Sequence, residues 1–388
     1  MMLMKMEMAG VKNFYLAAIC SVVPGLGRSK LPKLIQVMGS AEAVYTATEQ
    51  KLREAKVCTE KQISNFINNR NLNYPHKLAV LCRQLGVEII SIYDKAYPES
   101  LKEISDPPLV LYVKGQLPVA GYNIAIVGSR EASEYGLKAA RYFARSFAAE
   151  NITVISGGAR GIDTAAHEEC LKAGGRTIAV LGTGIDIAYP AENKNLFARI
   201  AEHGAIVSEY PPGTQPLARN FPARNRIIVG LTRGVLVAEA ARKSGALITA
   251  NIAADEAREV YCVPGNIFFD KSIGCHDLIR TGAKLVDSPN DIYEDIHDWY
   301  QRNSIQQNIF ELQEDKEEKI QSTDNDKKLP DLSVTGQCLY NLLSQGPLSL
   351  EELTEQSQKQ LAEISMELLN MQMLGIIAAD QLQRYYRV

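Results

Sequence analysis

The stretch ITVISGGARGIDTAAH, Ile152 to His167, joins a short β-branched apolar run to a glycine-rich loop and then to the start of a helical pattern. Runs of four or five Val and Ile residues read as buried strands, and Gly157, Gly158 and Gly161 mark a tight loop before the helix. The same unit recurs on both sides. NIAIV ends at Gly128-Ser129-Arg130, TIAVL at GTGIDIAYP, AIVS at EYPPG, GVLVA at EAARKSGA and EVYCV at PGN. Short strands of this kind, alternating with helices such as YGLKAARYFARSFAAE, are what a parallel sheet covered on both faces requires. Residues 122–290 therefore read as an α/β domain with a Rossmann-like, doubly wound, mostly parallel sheet. Ligands of such sheets gather where strand C-terminal ends meet helix N-termini, because backbone N–H groups and the helix dipole favour an anion there.

Outward from this domain the composition changes. Residues 1–90 read as an all-α domain of short helices, with VPGLG (23–27) between two of them as a helix-hairpin-helix-like (or SAM-like) turn whose glycines offer N–H groups to a phosphate or simply make a bend. The proline-punctuated 91–121 reads as a connector. Residues 291–330 are polar and acidic and read as a flexible linker. Residues 331–388 give three helices and a hairpin, the outline of a winged-helix domain. Its presumed recognition helix, QLAEISMELLNMQML, contains no Lys or Arg and would repel a phosphate backbone, so a protein-contact role is expected, with Arg384 and Arg387 on the wing arguing the other way.

The chain has 388 residues, ordinary globular composition and a net charge of −3. That figure conceals a division: the first 290 residues carry +7 and the remainder −10, so a polyanionic partner stays open for the body of the molecule. No stretch approaches the ~18 apolar residues of a membrane span, and the expected compartment is the cytoplasm. Seven scattered cysteines without a CxxC pair predict reduced thiols and no structural zinc. Asp163 and His167, four apart on a helix, form a pair without a third ligand of suitable spacing, and a structural pair is expected rather than a metal site.

The anion expected at the sheet edge is not a dinucleotide. In GSREASEYG, Arg130 stands where the second glycine of GxGxxG belongs; in GTGIDI, Ile187 occupies the third position. Instead the edge loops carry cations: Arg130, Arg160, Lys194, Arg224 and Arg226. Separate cations along one edge match several phosphates of an extended strand better than one compact diphosphate.

The run GSR, ISGGARGIDTAAH, TIAVLGTGIDIAYPAENKNL, SEYPPG, FPARNRIIVGL, EAARKSGALITA, VPGN and LIRTGAKLV resembles the DNA-processing protein A (DprA/Smf) family, in order and across the whole central domain. The resemblance implies a non-catalytic protein that binds single-stranded DNA, forms a homodimer and loads the RecA recombinase during natural transformation, without cofactors. It implies that Arg130, in a loop with Gly128 and Ser129, and Lys194 contact phosphates. Phe197, three residues after Lys194, either stacks on a base or belongs to the core. Gly157, Gly158 and Gly161, with Ser156 and Arg160 beside them, either donate N–H groups to DNA or form a structural turn. Two alternatives stand beside this: an enzyme acting on a nucleotide phosphate at the same edge, and a DNA-binding scaffold in a host that takes up no DNA. Against an enzyme, the region of Glu239 lacks the paired glycines of a PGGxGTxxE loop.

FPARNRIIVG (221–230) lies between two strands that a parallel sheet must connect by a crossover, so it is expected to form a short helix begun just after Pro222. Residues 224 and 226 then point about 200° apart. The expectation is that Arg224, with Asn225, faces the DNA and that Arg226 is held inside the domain.

Overall fold

The computed structural model describes residues 13–22, 27–118, 121–297 and most of 332–387. The chain divides into a unit ending at Gln301 and a second beginning at Arg302.

The first unit is built on a nine-stranded sheet. Its strands are β1 (Glu88–Ser91), β2 (Val110–Gly115), β3 (Asn123–Gly128), β4 (Thr153–Ser156), β5 (Thr177–Leu181), β6 (Ala205–Ser208), β7 (Gly234–Glu239), β8 (Glu259–Cys262) and β9 (Lys284–Leu285). They lie in the order β1-β2-β6-β5-β4-β3-β7-β8-β9. From β3 the chain winds outward in parallel through β4, β5 and β6, then returns to β7 on the other side of β3 and winds outward through β8 and β9. The point of reversal lies between β3 and β7, where a doubly wound sheet opens a crevice at its C-terminal edge.

Alternation along β3 shows why the strands are apolar throughout. Ile124 and Ile126 pack with Phe143 and Phe147 on one face, while Ala125 and Val127 join Ile155, Val180 and Val235 on the other. Helix α8 (Glu134–Ala149) covers the first face. Its buried Ala140, Phe143, Ala144 and Phe147 recur at helical spacing, and its N-cap Ser133 accepts a hydrogen bond from the Gly136 N–H. Helix α9 (Ile162–Lys172) lies beside it. On the second face, α11 (Asn220–Gly230) and α12 (Gly245–Asp255) bury Ile227, Ile228, Ala246 and Ala250. Helix α10 (Lys194–His203) joins β5 to β6.

Two differences from expectation concern the first 121 residues. The helices of 13–85 share one apolar core with β1, β2, Leu181 and Ile206 of the sheet and Phe197 of the helix that follows β5. The expected connector supplies β1's last residue and all of β2, which extend the sheet in antiparallel sense beyond β6. The cause is VLYV, whose four residues are all buried. β2 comes close to the end of α10 because Gly115 (φ +100°) has no side chain there: a Cβ would lie 2.3 Å from the Gly204 carbonyl. That carbonyl accepts from the Gln116 N–H at 2.7 Å.

The VPGLG turn, apart from Gly27, and the linker beyond residue 297 lie outside the described residues. The second unit contains helices at Val334–Leu342, Leu350–Ser357 and Leu361–Met373 and a small sheet of Leu348–Ser349, Arg384–Arg387 and Ile377–Ala379, in that order. Leu339, Leu353, Ile364, Leu368 and Met371 form its core. Arg387 lies over the Tyr340 ring at 3.8 Å and donates to the Tyr340 carbonyl, so it is engaged within its own unit. Among the described residues no helix is long and apolar enough to cross a membrane.

Candidate nucleic-acid interface

The C-terminal edge of the sheet carries a cleft of about 730 Å³ at the β3–β7 reversal. One wall comes from the loop after β3 and another from the loop after β7 and the start of α12; the first turns of α11 form a third.

The loop after β3 is pressed against the loop after β4. Ser129 donates its N–H to the Glu239 carbonyl at 2.8 Å and accepts from the Ile162 N–H at 3.2 Å. A Cβ on Gly161 (φ +76°) would stand 2.3 Å from the Ser129 carbonyl, so the glycine is required by contact as well as by dihedral. Arg130 emerges exposed from this contact, with its guanidinium 5.9 Å from the centre of the Phe221 ring. No carboxylate lies within ion-pair distance of it among the described residues.

Beneath the Gly157-Gly158 turn lie two side chains. A Cβ on Gly157 would meet the Arg224 guanidinium at 2.6 Å, and one on Gly158 (φ +67°) would meet the Phe197 ring at 2.6 Å. Ser156 is buried and donates to the Ile126 carbonyl at 2.6 Å. Asn193 donates to the Gly158 carbonyl at 3.0 Å and to Thr164 at 2.8 Å. The glycines of this turn thus admit supporting side chains from below.

Arg224 corrects its expected role, and Phe197 takes the core alternative rather than that of a DNA contact. α11 begins at Asn220, three residues earlier than expected, with Pro222 in its first turn, and Arg224 is turned inward. The side chain is 5 % exposed; its Nη1 donates to the Gly157 carbonyl at 2.8 Å and also to the Val180 carbonyl, and its Nε to Asn225 Oδ1 at 3.3 Å. Burial pushes the guanidinium down to about 10, against the attraction of Asp163, and burial likewise raises the Asp163 carboxyl against the attraction of Arg224. Arg224 supports the cleft floor and does not stand free to face DNA. Phe197 is 4 % exposed in the core under Gly158, so its ring faces are not available to a base. Arg226 is held inside as expected, donating to both oxygens of Glu209 at 2.6 and 2.7 Å and to Asp106 at 3.2 Å.

Of the residues singled out from sequence, Gly128, Ser129, Arg130, Arg224 and Asn225 line the cleft. Lys194 begins α10, exposed and without an ion-pair partner among the described residues. Arg160 is exposed but pairs with Glu192, Nη2 to Oε2 at 3.0 Å. Both lie outside the cleft lining. Tyr189, Phe221 and Lys243 are among the lining residues that were not singled out. The Tyr189 and Phe221 rings pack 5.2 Å apart, and Tyr189 is 43 % exposed. Lys243 carried a readable signal, a cation in the loop after an expected strand at the same edge. Tyr189 and Phe221 carried none beyond an aromatic beside proline.

Asp163 and His167 are both buried but have separate partners: Asp163 accepts from the Ala159 N–H at 3.2 Å, and His167 Nδ1 lies 2.6 Å from Thr177 Oγ1. Among the described residues no three His, Cys, Asp or Glu side chains are grouped to hold a metal. Glu239 is 4 % exposed, and its carboxylate accepts from the N–H and hydroxyl of Ser133.

A doubly wound sheet, glycine loops of non-dinucleotide spacing and a partly basic cleft at the reversal define a Rossmann-like α/β protein with a candidate anion site at its sheet edge. The chain belongs to the DNA-processing protein A family: residues 88–297 match the family described as DNA recombination-mediator protein A. It is 34 % identical to Protein Smf of Synechocystis over 95 % of this chain and 97 % of that protein. It is 37 % identical to the DNA processing protein DprA of Bacillus subtilis over 72 % of this chain and 95 % of that one. The X-ray structure of DNA processing protein A from Streptococcus pneumoniae matches with a TM-score of 0.60 and 37 % identity, covering 73 % of this chain and 97 % of that chain.

Two outcomes follow from the buried groups. Arg224→Met leaves the Gly157 and Val180 carbonyls without their donor and Asp163 without its countercharge, and is expected to lower unfolding stability by about 3 kcal/mol in urea titration. An unchanged midpoint contradicts the supporting role. His167, pushed down to about 3 chiefly by burial, stays neutral in the fold where an unfolded histidine protonates below 6.5. Its contribution is therefore complete above pH 6.5 and is lost as pH falls from there toward 3, at up to about 1.4 kcal/mol per pH unit. His167→Gln should flatten that part of the stability–pH curve, and equal slopes would contradict it.

Proposed function

We propose that this protein binds single-stranded DNA along the C-terminal edge of its sheet, does not transform it chemically, and passes it to the RecA recombinase as a recombination mediator. The observation that carries the reading is Arg130, an exposed guanidinium without a carboxylate partner among the described residues, set on a glycine loop at the mouth of the reversal cleft. A cation left unneutralised at that edge favours an external anion, and Lys194 at the start of α10 and Lys243 across the cleft repeat the arrangement at intervals. Spaced cations suit a chain of phosphates.

Single-strand binders combine such a track with aromatic faces on which bases stack. Here Tyr189, propped against Phe221, is the exposed aromatic surface of the cleft, in place of the buried Phe197. The non-catalytic reading is supported by the use of Glu239 in holding Ser133 at the N-terminus of α8. The protein acts in the cytoplasm as a homodimer formed through the Rossmann-like domain, and the second unit is a winged helix used for protein contact. For that last assignment the support is the helix Leu361–Met373, which has no Lys or Arg.

Binding of oligo-dT to wild type and Arg130→Ala, titrated at several salt concentrations, tests the reading. The expected result is a linear fall of log affinity with log salt, with the variant about tenfold weaker and its slope shallower by about 0.7, one phosphate's worth on single strands. Binding that is flat with salt and unaffected by the substitution contradicts it.

A further inference from the structure

We propose that the α12 end of the cleft is a second phosphate subsite, and that a DNA strand lying on the Arg130 loop continues across the β3–β7 reversal to reach it. The proposal rests on the DNA-binding reading above and assigns to it a site of its own, built from Lys243, Gly245 and Thr249.

The topology sets the loop after β7 opposite the loop after β3, because these two strands are neighbours although more than a hundred residues apart in the chain. The start of α12, an eleven-residue helix, therefore opens into the same cleft as Arg130. Ser244 caps the helix by accepting from the Ala246 N–H at 3.3 Å, which leaves the Gly245 N–H without an acceptor. A Cβ added at Gly245 would meet nothing within 4 Å, so the space beside this residue is open.

A helix N-terminus alone does not make a site, and Thr249 supplies the independent observation. One turn further along the same helix face, Thr249 is 2 % exposed and lines the cleft. Its hydroxyl makes no hydrogen bond among the described residues, yet its oxygen is not sealed from solvent. A helical threonine ordinarily satisfies its hydroxyl on the carbonyl one turn back. A buried, unspent hydroxyl at the rim of a cleft is placed for an acceptor from outside. Lys243 provides the charge: it is exposed, lines the cleft and has no carboxylate within ion-pair distance among the described residues, whereas its neighbour Arg242 is paired with Asp277. Ile248, 44 % exposed between them, offers an apolar surface for the adjoining sugar or base.

The cleft also contains two carboxylates. Asp163 is buried against Arg224, while Glu131 remains exposed beside Arg130. A strand crossing the reversal would pass from Arg130 to Lys243 with Glu131 at its margin.

The test uses the full chain and oligo-dT, with salt-dependent affinity and melting temperature recorded for wild type, Lys243→Gln, Thr249→Val, Thr249→Ser and Arg130→Ala. Lys243→Gln is expected to shorten the log–log salt slope by about 0.7, and Thr249→Val to weaken binding roughly tenfold, while Thr249→Ser retains wild-type affinity. Should Thr249→Val fail to fold, the exposed Lys243 decides alone through the slope. If Lys243→Gln and Thr249→Val bind as wild type while Arg130→Ala binds weakly, the subsite is wrong and the DNA reading stands. If wild type itself does not bind the oligonucleotide, both are overturned.

Discussion

One buried guanidinium organises the edge of the sheet on which the functional reading depends. Arg224 reaches from α11 beneath the Gly157-Gly158 turn, bonds to carbonyls at the ends of β4 and β5, and faces Asp163 at the start of α9. Four elements meet on one side chain. An arginine placed so far from water is tolerated because its donors meet carbonyls in fixed positions and its charge meets a carboxylate. Gly157 follows from this constraint, since any side chain there would displace the guanidinium.

With the floor held in this way, charges above it can be left unspent. Arg226 and Arg160 are neutralised by Glu209 and Glu192, respectively, whereas Arg130, Lys194 and Lys243 have no such partner among the described residues. The distinction matters more than the count of cations. A paired arginine offers a phosphate little, because the existing pair must be broken first; an unpaired one offers its whole field. The overall charge of −3 reveals nothing of this, because the acidic C-terminal quarter outweighs a body in which a few cations remain free.

Much of the fold was legible in the sequence, since β-branched runs punctuated by glycine loops encode a parallel sheet through a requirement that every strand shares. The helix at 220–230 could be inferred from topology, against its strand-like IIVG, because a parallel crossover demands it. Its phase could not. The orientation of α11 against the sheet determines which arginine turns inward, because positions 224 and 226 point about 200° apart. β2 escaped notice because the prolines at 107 and 108 masked the apolar VLYV that follows. Phe197 was ambiguous for a similar reason: its spacing from Lys194 fits a shared face, but the exposed and buried sides of α10 meet between them, Lys194 on one and Phe197 on the other. The aromatic surface of Tyr189 and Phe221 arises from a loop and the first turn of α11, more than thirty residues apart, and no local pattern joins them.

The central claim is that a single strand lies along the C-terminal edge across the β3–β7 reversal. Amide hydrogen exchange, compared with and without a saturating oligo-dT, addresses it without any substitution. The account predicts slowed exchange in the loop at 128–131 and at the start of α12, with the opposite end of the same strands unchanged. Protection absent from both loops, and found instead in the second unit or at the strand N-terminal ends, would contradict it.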